Sequence, residues 1–478
     1  ANISANFTDN IYNKTKMTFT STAYLFFLPL VFFLYWLIQR NAKAQNFLLL
    51  AASYVFYGWW DFRLLSIIVL MTLATFYAAI LIESSGNNNK MRRTVCGLGI
   101  VVCVATLVVF KFFNFFMTSA SEFLNLFHIK FSPITLNIIL PAGISFYTFQ
   151  SISYLIDVYR RKLPATRNII TFATYIAFFP QLVAGPIERA TRMIPILQGK
   201  RTFCYAQAVE GLRRIIIGLF KKMIIADNCA ETVSGIFNSW NSQGSFVLIY
   251  GALLFTIEIY CDFSGYSDMA IGSAKLLGIE LSENFRAPYL AKNIAEFWRR
   301  WHITLMNWFK DYIYIPLGGK EHKTRNTAIV FLLSGLWHGA NWTFVTWGLY
   351  NAGLFPFFRK LQKIRVPAFL MWLATFSCVV LGFMIFRSAS ITDAVGFITR
   401  MFSFTDLTAM PPSATKSLIA LAGAGILFFA ELKTGKANNI TDIFRGMPRT
   451  ARRILYIAIV SSIIIFGAEP AAFIYFQF

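Results

Sequence analysis

The stretch that decides the fold runs from residue 327 to residue 355 and reads TAIVFLLSGLWHGANWTFVTWGLYNAGLF. It is apolar enough to enter a membrane, yet Gly335 and Gly339 flank His338 at its centre. Clusters of Lys and Arg lie on both sides of it, at 286–325 and 359–365. Because cytoplasmic loops carry the excess of Lys and Arg, both clusters are expected on the same side of the membrane. Two crossings of about 20 residues each do not fit in this stretch. It is therefore predicted to be re-entrant or a broken helix carrying a buried histidine, unless one cluster is an exception to the charge rule.

The rest of the chain has the composition of a membrane protein. Of its 478 residues, 56% are apolar and 14% are charged, whereas soluble domains carry about 25% charged residues. The lipid core contains no hydrogen-bond partners for unpaired backbone N–H and C=O groups, so long apolar runs are predicted to be helices. Such runs lie near 21–38, 46–60, 64–83, 95–118, 134–156, 212–226, 246–262, 367–386, 416–432 and 454–473, with an interrupted one at 168–185. We therefore expect an all-α polytopic membrane protein with about 10–12 transmembrane or re-entrant helices.

The net charge of +22 is interpreted chiefly as membrane topology. Most of the 44 Lys and Arg residues lie in clusters between the apolar runs, at 40–43, 90–93, 160–167, 189–222, 286–325, 359–365 and 433–453. These clusters are predicted to be cytoplasmic and to contact membrane lipids, not nucleic acid. The six cysteines are scattered and include no Cys-x-x-Cys pair, so no disulfide framework or metal site is predicted.

The domain organisation predicted from these patterns is simple. Residues 1–16 are polar and are expected to be a disordered leader, and residues 17–478 are expected to form one integral-membrane domain. Residues 284–325 are too charged to span the membrane. They mix Trp and Tyr with Arg and Lys, the composition of a membrane–water interface. We expect amphipathic helices there, on the cytoplasmic side.

Two of the four histidines are candidates for chemistry. An ionisable side chain inside an apolar run, such as His338, is a functional hypothesis by default; the alternative is a structural histidine bonded to a carbonyl of a neighbouring helix. His302 lies in the aromatic and basic segment, where the alternative is an interfacial histidine. A buried neutral imidazole can take the proton of an alcohol that attacks a thioester, so the pair suits acyl transfer. No Gly-x-Ser-x-Gly motif is present, and this favours direct transfer.

The segment from Glu258 to Asp268 places three carboxylates at the end of an apolar run. Glu258 and Asp262 share a helix face. The acids are expected to pair with basic residues of the interfacial segment or to form hydrogen bonds across helices. A polar lining for a substrate path and a bound metal ion are the alternatives, and the absence of EF-hand spacing makes the metal ion the least favoured. No Walker A sequence is present, so the sequence offers no support for an ATP-driven pump.

Several long motifs resemble the signature of the membrane-bound O-acyltransferase family, and most closely its bacterial alginate O-acetylation branch. They occur in the same order and cover nearly the whole chain. The motifs are FKFFNF at 110–115, FYTFQ at 146–150, DFSGYSD at 262–268, WRRWHITL at 298–305, DYIYIPLGG at 311–319, LWHGA at 336–340 and YFQF at 475–478.

The resemblance implies a fold and a set of site residues. The fold is a ring of helices around a central tunnel, with a cytoplasmic funnel at 284–325. His338 matches the family's essential histidine and His302 its second histidine. The resemblance also suggests residues that bind substrate or donor, namely Trp298, Arg299, Trp301, Asn307, Asp311, Tyr314, Trp337, Asn341, Asp262, Ser264, Tyr266 and Gln150. It implies no metal and no permanently bound cofactor, with acetyl-CoA or another acyl thioester as the donor substrate.

The resemblance implies an acetyltransferase of the bacterial inner membrane. It would move an acetyl group from a cytoplasmic thioester across the membrane for O-acetylation of an extracytoplasmic, alginate-like polysaccharide. A periplasmic partner of the serine-hydrolase-like type would pass the group to the polymer. Three alternatives stay open: D-alanyl transfer for the modification of a cell-wall polymer, a non-catalytic glycan transporter, and a membrane scaffold whose partner holds the activity.

Overall fold

The computed structural model describes residues 16–409, 411, 414–434, 440–444 and 446–474, and the regular elements in these ranges are all helical. The predicted leader lies outside the described residues except for Lys16. Five helical stretches in the described ranges are long and apolar enough to cross a membrane: Ala42–Ser84, Asn89–Asn125, Ser245–Leu276, Ala368–Arg387 and Thr415–Thr434. The prediction of an all-α polytopic membrane protein is therefore confirmed.

The chain forms two compact units. The first consists of the residues up to Gly211 together with Ala270–Ser282. Within it, the helix Ala42–Asp61 packs on Ile169–Ala177, and Asn89–Leu107 packs on Ile144–Tyr159. Its other helical elements are Thr22–Leu37, Phe62–Leu64, Leu65–Ser84, Val108–Phe112, Phe113–Asn125, Phe179–Leu182 and Ala190–Gln198.

The second unit consists of Leu212–Met269 and the residues from Glu283 onward. The helices Tyr205–Leu219 and Ser245–Leu276 contribute residues to both units. The remaining helical elements of the second unit are Phe220–Ala226, Asp227–Asn238, Trp240–Ser242, Pro288–Leu290, Ile294–Arg300, Ile303–Phe309, Lys310–Tyr314, Lys323–His338, Trp342–Leu361, Ala368–Arg387, Ile391–Met401, Ala414–Thr434, Ile440–Phe444 and Arg449–Phe466. Aromatic and aliphatic side chains of this unit form its core.

Several of the predicted runs have other boundaries in the structure, and three of them are instructive. The run at 134–156 becomes helical only at Ile144, because Pro141 and Gly143, whose φ is +73°, interrupt the chain before it. The run at 246–262 continues to Leu276, since the polar residues that follow are buried and paired inside the protein. The run at 454–473 ends as a helix at Phe466.

The stretch 327–355 is a helical hairpin. One helix ends at His338 and the next begins at Trp342. A Cβ atom on Gly335 would lie 2.3 Å from the Phe344 carbonyl oxygen, and one on Gly348 would lie 2.4 Å from the Phe331 carbonyl oxygen. This register makes the two helices antiparallel and closely packed. The first helix has 16 residues, or about 24 Å at a rise of about 1.5 Å per residue, short of the roughly 30 Å hydrocarbon core. Because the helices are antiparallel, the start of the first and the end of the second lie at the same end of the hairpin, and the basic residues that flank them are brought to that end.

Candidate active site

His338 is the last residue of the helix Lys323–His338, and it is buried. Its Nδ1 lies 2.5 Å from the Ser334 carbonyl oxygen one turn earlier. A carbonyl oxygen only accepts hydrogen bonds, so Nδ1 carries a proton, and in the neutral imidazole Nε2 is then the hydrogen-bond acceptor. The imidazole contacts the rings of Trp337, Trp347 and Phe386 at centroid distances of 5.0, 5.0 and 5.5 Å. The histidine is thus held in one tautomer inside an aromatic cage.

His302 is held by the side-chain amide of Asn284. Its Nδ1 lies 3.1 Å from Asn284 Oδ1. The Thr304 hydroxyl donates to the same oxygen at 3.0 Å, and the Thr304 backbone N–H donates to it at 3.3 Å. A backbone N–H can only donate, so this atom is the amide oxygen, and the Nδ1 of His302 must carry the proton. His302 therefore has the same tautomer as His338, with Nε2 as the acceptor.

The backbone at His302 is strained, and its neighbours hold it in place. His302 has a φ of +45°, in the left-handed region that non-glycine residues rarely occupy. Two backbone hydrogen bonds pin the loop around it: Ile303 N–H donates to the Asn284 carbonyl at 2.9 Å, and Arg286 N–H donates to the Arg300 carbonyl at 3.0 Å. Strain that surrounding contacts over-determine is typical of functional sites.

One tryptophan contacts both histidines. The Trp337 ring lies 5.9 Å from the His302 ring and 5.0 Å from the His338 ring, centroid to centroid. Phe263 also packs edge-on against the His302 ring, with the two ring centroids 4.7 Å apart. Burial lowers the pKa of His302 well below its ordinary value, and the nearby His338 lowers that pKa further. At neutral pH His302 is therefore the neutral imidazole that proton abstraction requires.

A basic cavity of about 820 Å³ lies beside this aromatic region. Four of the predicted donor-binding residues line it, namely Trp298, Arg299, Asn307 and Tyr314. The rest of the lining is Arg286, Ala295, Glu296, Arg300, Ile303, Met306, Lys310, Thr327, Val330, Phe331 and Phe355. Four of these lining residues are cations and one is an acid, so an anionic ligand is favoured there. Glu296 pairs with Arg300 at 2.8 Å.

Trp298 connects the cavity with the histidine cage. It lines the cavity and packs on Trp347 at 5.6 Å, and Trp347 packs on His338 at 5.0 Å. The indole N–H of Trp298 is buried and has no hydrogen-bond partner among the described residues. A buried donor of this kind at a cavity wall is satisfied when a ligand brings an acceptor.

The other predicted residues of the interfacial segment and the hairpin have different surroundings. Trp301 is buried in the aromatic core against Phe285 and Phe383, away from the cavity lining. Asn341 caps the helix Trp342–Leu361, accepting from the Thr343 N–H and donating to the Ala389 carbonyl at 2.9 Å. Asp311 is half-buried beside the cavity-lining residue Lys310 in the chain, but it does not line the cavity.

Two of the three acids of the segment 258–268, Asp262 and Asp268, are paired with cations of a helical stretch that the sequence did not indicate. Lys222 lies 2.8 Å from both Asp262 and Asp227. Arg214 and Lys221 lie 2.6 and 2.8 Å from Asp268. These cations belong to the continuous helical stretch 205–238 and not to the interfacial segment. Buried charges need such partners, because each unpaired one costs several kcal/mol.

The remaining three predicted residues are buried on two helices. Ser264 lies on the helix Ser245–Leu276, where its hydroxyl has no hydrogen-bond partner among the described residues. Tyr266 on the same helix packs on Phe473 at 4.6 Å. Gln150 belongs to the first unit, buried in the helix Ile144–Tyr159.

The sequence did not point to Asn284, Thr304 or Trp347, although these residues orient or enclose the histidines. Asn284 is 18 positions from His302, and one asparagine at that separation forms no motif. The αL backbone at His302 also has no sequence signal, since only glycine would have indicated it. The chemistry of the site, two buried and oriented imidazoles beside a basic cavity, fits transfer of an acyl group from an anionic donor. Among the described residues, no group of three or more His, Cys, Asp or Glu is placed to hold a metal ion.

Comparison with known proteins supplies the family. The sequence model of the membrane-bound O-acyltransferase (MBOAT) family matches residues 160–392, which include both histidines. The probable alginate O-acetylase AlgI of Azotobacter vinelandii is 37% identical over 97% of this chain and 100% of its own length. A peptidoglycan O-acetyltransferase of Helicobacter pylori is 35% identical over 80% of both chains. A teichoic acid D-alanyltransferase of Bacillus subtilis is 31% identical over 52% of this chain and 69% of its own. The chain is a multi-pass membrane enzyme that belongs to the membrane-bound O-acyltransferase family.

Proposed function

We propose that the chain is an O-acetyltransferase of a bacterial cytoplasmic membrane, which moves acetyl groups from a cytoplasmic thioester toward an extracytoplasmic polysaccharide. The observation that carries this proposal is the pair of buried histidines, both fixed with Nδ1 protonated and Nε2 as acceptor, next to a basic cavity. The alginate O-acetylase relative, which aligns over its full length, supports an alginate-like acceptor.

His338 is proposed as the general base. The acceptor hydroxyl oxygen attacks the thioester carbonyl carbon while its proton passes to Nε2 of His338. The carbon–sulfur bond then breaks, and the departing thiolate receives the proton, so that one ester and one thiol form from one alcohol and one thioester. The Nδ1 hydrogen bond to the Ser334 carbonyl stabilises the imidazolium that exists between these steps.

His302 is proposed to assist this proton transfer or to position the thioester. Since its Nδ1–H is bonded to Asn284, its Nε2 can accept but not donate in the neutral state. It therefore suits an N–H or O–H group of a substrate better than the thioester carbonyl oxygen.

The donor is proposed to be acetyl-CoA, entering through the cavity lined by Arg286, Arg299 and Lys310. These cations suit the phosphates of the nucleotide, and Trp298 with Phe331 offers an apolar wall to its pantetheine arm. A carrier-protein thioester is the other class of donor. It has the same pantetheine arm as acetyl-CoA but lacks the nucleotide. An extracytoplasmic partner of the serine-hydrolase-like type would pass the acetyl group on to the polymer.

D-alanyl transfer is the second candidate function. The teichoic acid D-alanyltransferase relative supports it, but this relative aligns with about half of the chain, whereas both O-acetyltransferases align with most of it. We therefore favour acetyl over D-alanyl.

The experiment is a measurement of polysaccharide acetylation in cells that depend on this chain. His338→Ala is expected to abolish acetylation at unchanged membrane abundance, and His302→Ala to lower it at least about 10-fold. His322→Ala is the matched control, because His322 is exposed and precedes the same hairpin helix. Full acetylation in His338→Ala cells would refute the catalytic proposal and favour a transporter or a scaffold.

A further inference from the structure

A second cavity, of about 480 Å³, lies in the second unit. Its lining is apolar, in contrast to the basic cavity described above. It is enclosed by the helical stretch 205–226, the helices Ala414–Thr434 and Arg449–Phe466 and the short turn Ile440–Phe444. Its lining is apolar except for one serine: Ile217, Phe220, Ile224, Ile419, Ala422, Gly423, Ile426, Leu427, Ala430, Ile440, Ile443, Phe444, Leu455, Ala458, Ile459, Ser462 and Phe466. We call this cavity the apolar groove.

Small residues give the apolar groove its depth. Ala422, Gly423, Ala430 and Ala458 stand where larger side chains would fill it. A Cβ atom on Gly423 would lie 3.0 Å from Ile225 Cγ1, so the helix Ala414–Thr434 also approaches its neighbour closely there. Ordered water needs several hydrogen-bond partners, and the apolar groove offers almost none. Because one of its walls is a candidate membrane span, a hydrocarbon chain is the occupant available to it.

One end of the apolar groove carries positive charge. The Arg213 guanidinium lies 5.8 Å from the ring centroid of Phe444, which lines the groove, and Arg213 Nε donates to the Tyr456 hydroxyl at 2.7 Å. No carboxylate of the described residues forms an ion pair with Arg213. Lys433 and Arg452 lie three residues from the lining residues Ala430 and Leu455 on their own helices, which puts them on the neighbouring turn.

The apolar groove, with cations at one end, matches the shape and charge of one anionic lipid molecule. These cations belong to the clusters 189–222 and 433–453, which the charge rule assigns to the cytoplasmic side. Basic pockets between membrane helices on that side suit anionic head groups, since the phosphate pairs with Arg while the chains remain in the hydrocarbon. A zwitterionic lipid offers the same chains but no net negative charge.

We propose that the apolar groove is a binding site for one anionic phospholipid of the surrounding bilayer, with an acyl chain among Ile217, Gly423 and Ile459 and the phosphate at Arg213. The bound lipid bridges the helices Ala414–Thr434 and Arg449–Phe466 to the stretch 205–226. That stretch also carries Lys221 and Lys222, whose ion pairs hold the buried acids of the helix Ser245–Leu276. The lipid therefore stabilises the second unit.

The test is a competition for bound lipid on the purified full-length chain. The protein is exchanged into vesicles of equal parts phosphatidylglycerol and phosphatidylcholine, extracted mildly, and analysed by native mass spectrometry for retained lipid. We expect phosphatidylglycerol to be retained at least about 10-fold over phosphatidylcholine, one molecule per chain. Arg213→Gln is expected to remove this preference, and Ala422→Phe to remove the bound lipid by filling the groove.

Two matched controls keep the test decisive. Arg365→Gln removes an exposed cation of another basic cluster, and Gly425→Phe adds the same ring one turn along the same helix, where a Cβ meets open space. Both are expected to retain phosphatidylglycerol as the wild type does. Equal retention of the two lipids, a loss of preference in Arg365→Gln as large as in Arg213→Gln, or a groove occupied by a second protein chain would overturn the proposal.

Discussion

At the scale of single residues, the candidate site depends on how two imidazoles are oriented. Asn284 Oδ1 accepts from the Thr304 N–H and hydroxyl, and this fixes it as the oxygen that receives the His302 Nδ1–H. Asn284 is therefore a positioning residue for His302, and it touches no reacting atom. His338 obtains the same tautomer from a backbone carbonyl, which no substitution of a side chain removes.

Replacement of Asn284 tests this arrangement. Asn284→Asp keeps the shape but places a carboxylate against Nδ1–H, which raises the pKa of His302. The step of the rate profile that reports protonation of His302 is expected to lie below the ordinary histidine pKa of about 6.5 in the wild type and to move to higher pH in the variant. Asn284→Leu is expected to lower kcat about 10- to 100-fold, or roughly 1.4–2.7 kcal/mol.

The measurement is the pH dependence of acetyl transfer by purified protein, with Thr304→Ser as the control that keeps the hydroxyl donor. A step at the same pH in wild type and Asn284→Asp would show that His302 does not titrate in the reaction.

At the scale of elements, the hairpin around His338 depends on glycines that hydropathy does not explain. A Cβ atom on Gly339 would lie 2.0 Å from the Phe344 ring, and those on Gly335 and Gly348 would meet backbone carbonyls of the opposite helix. Phe344 in turn packs on Phe386, which closes the aromatic cage of His338. The hairpin turn and the cage are thus one packed structure.

Gly339→Ala is expected to push Phe344 aside, to open the cage and to lower activity at least about 10-fold, with a lower melting temperature in detergent. Gly353→Ala is the control: it lies on the second helix of the hairpin with no atom within 4 Å of its added Cβ, and it is expected to be neutral or slightly stabilising. Similar melting temperatures and activities in both variants would contradict the packing argument.

The elements also show what the sequence can predict. Apolar runs located helices such as Thr22–Leu37 and Ala368–Arg387 closely, because lipid imposes one solution on them. Buried polar residues hid the true end of Ser245–Leu276, since their partners Arg214, Lys221 and Lys222 lie elsewhere in the chain. The sequence singles out the two histidines as candidates by their chemistry, but it does not indicate the residues that orient them, because pairwise contacts over long separations leave no local pattern.

At the scale of the whole molecule, the distribution of Lys and Arg and the hairpin around His338 predict the same membrane topology. The antiparallel helices Lys323–His338 and Trp342–Leu361 explain how two basic clusters separated by a single apolar stretch can both lie on the side that the charge rule predicts to be cytoplasmic. This predicted topology accounts for most of the excess positive charge, and the cluster at 286–325 also contributes the cations that line the basic cavity.

Cysteine labelling tests the topology. With Cys204, the exposed cysteine, replaced by serine, Lys320→Cys and Ile364→Cys are both expected to react with an impermeant maleimide only after the cytoplasmic membrane is permeabilised. Lys130→Cys, in an exposed segment outside the basic clusters, is the control expected to react in cells whose cytoplasmic membrane is intact. Labelling of Lys320→Cys and Ile364→Cys on opposite sides would contradict the hairpin.

His338 is proposed to accept the proton during acetyl transfer, and the transfer rate of a His338 variant is the most direct measurement of this role. Purified chain with its acceptor system is given radiolabelled acetyl-CoA, and the rate of label transfer is compared between wild type and His338→Gln. We expect at least about a 100-fold lower rate in the variant, with acetyl-CoA binding unchanged because His338 does not line the basic cavity. A variant that transfers acetyl groups at the wild-type rate would contradict it.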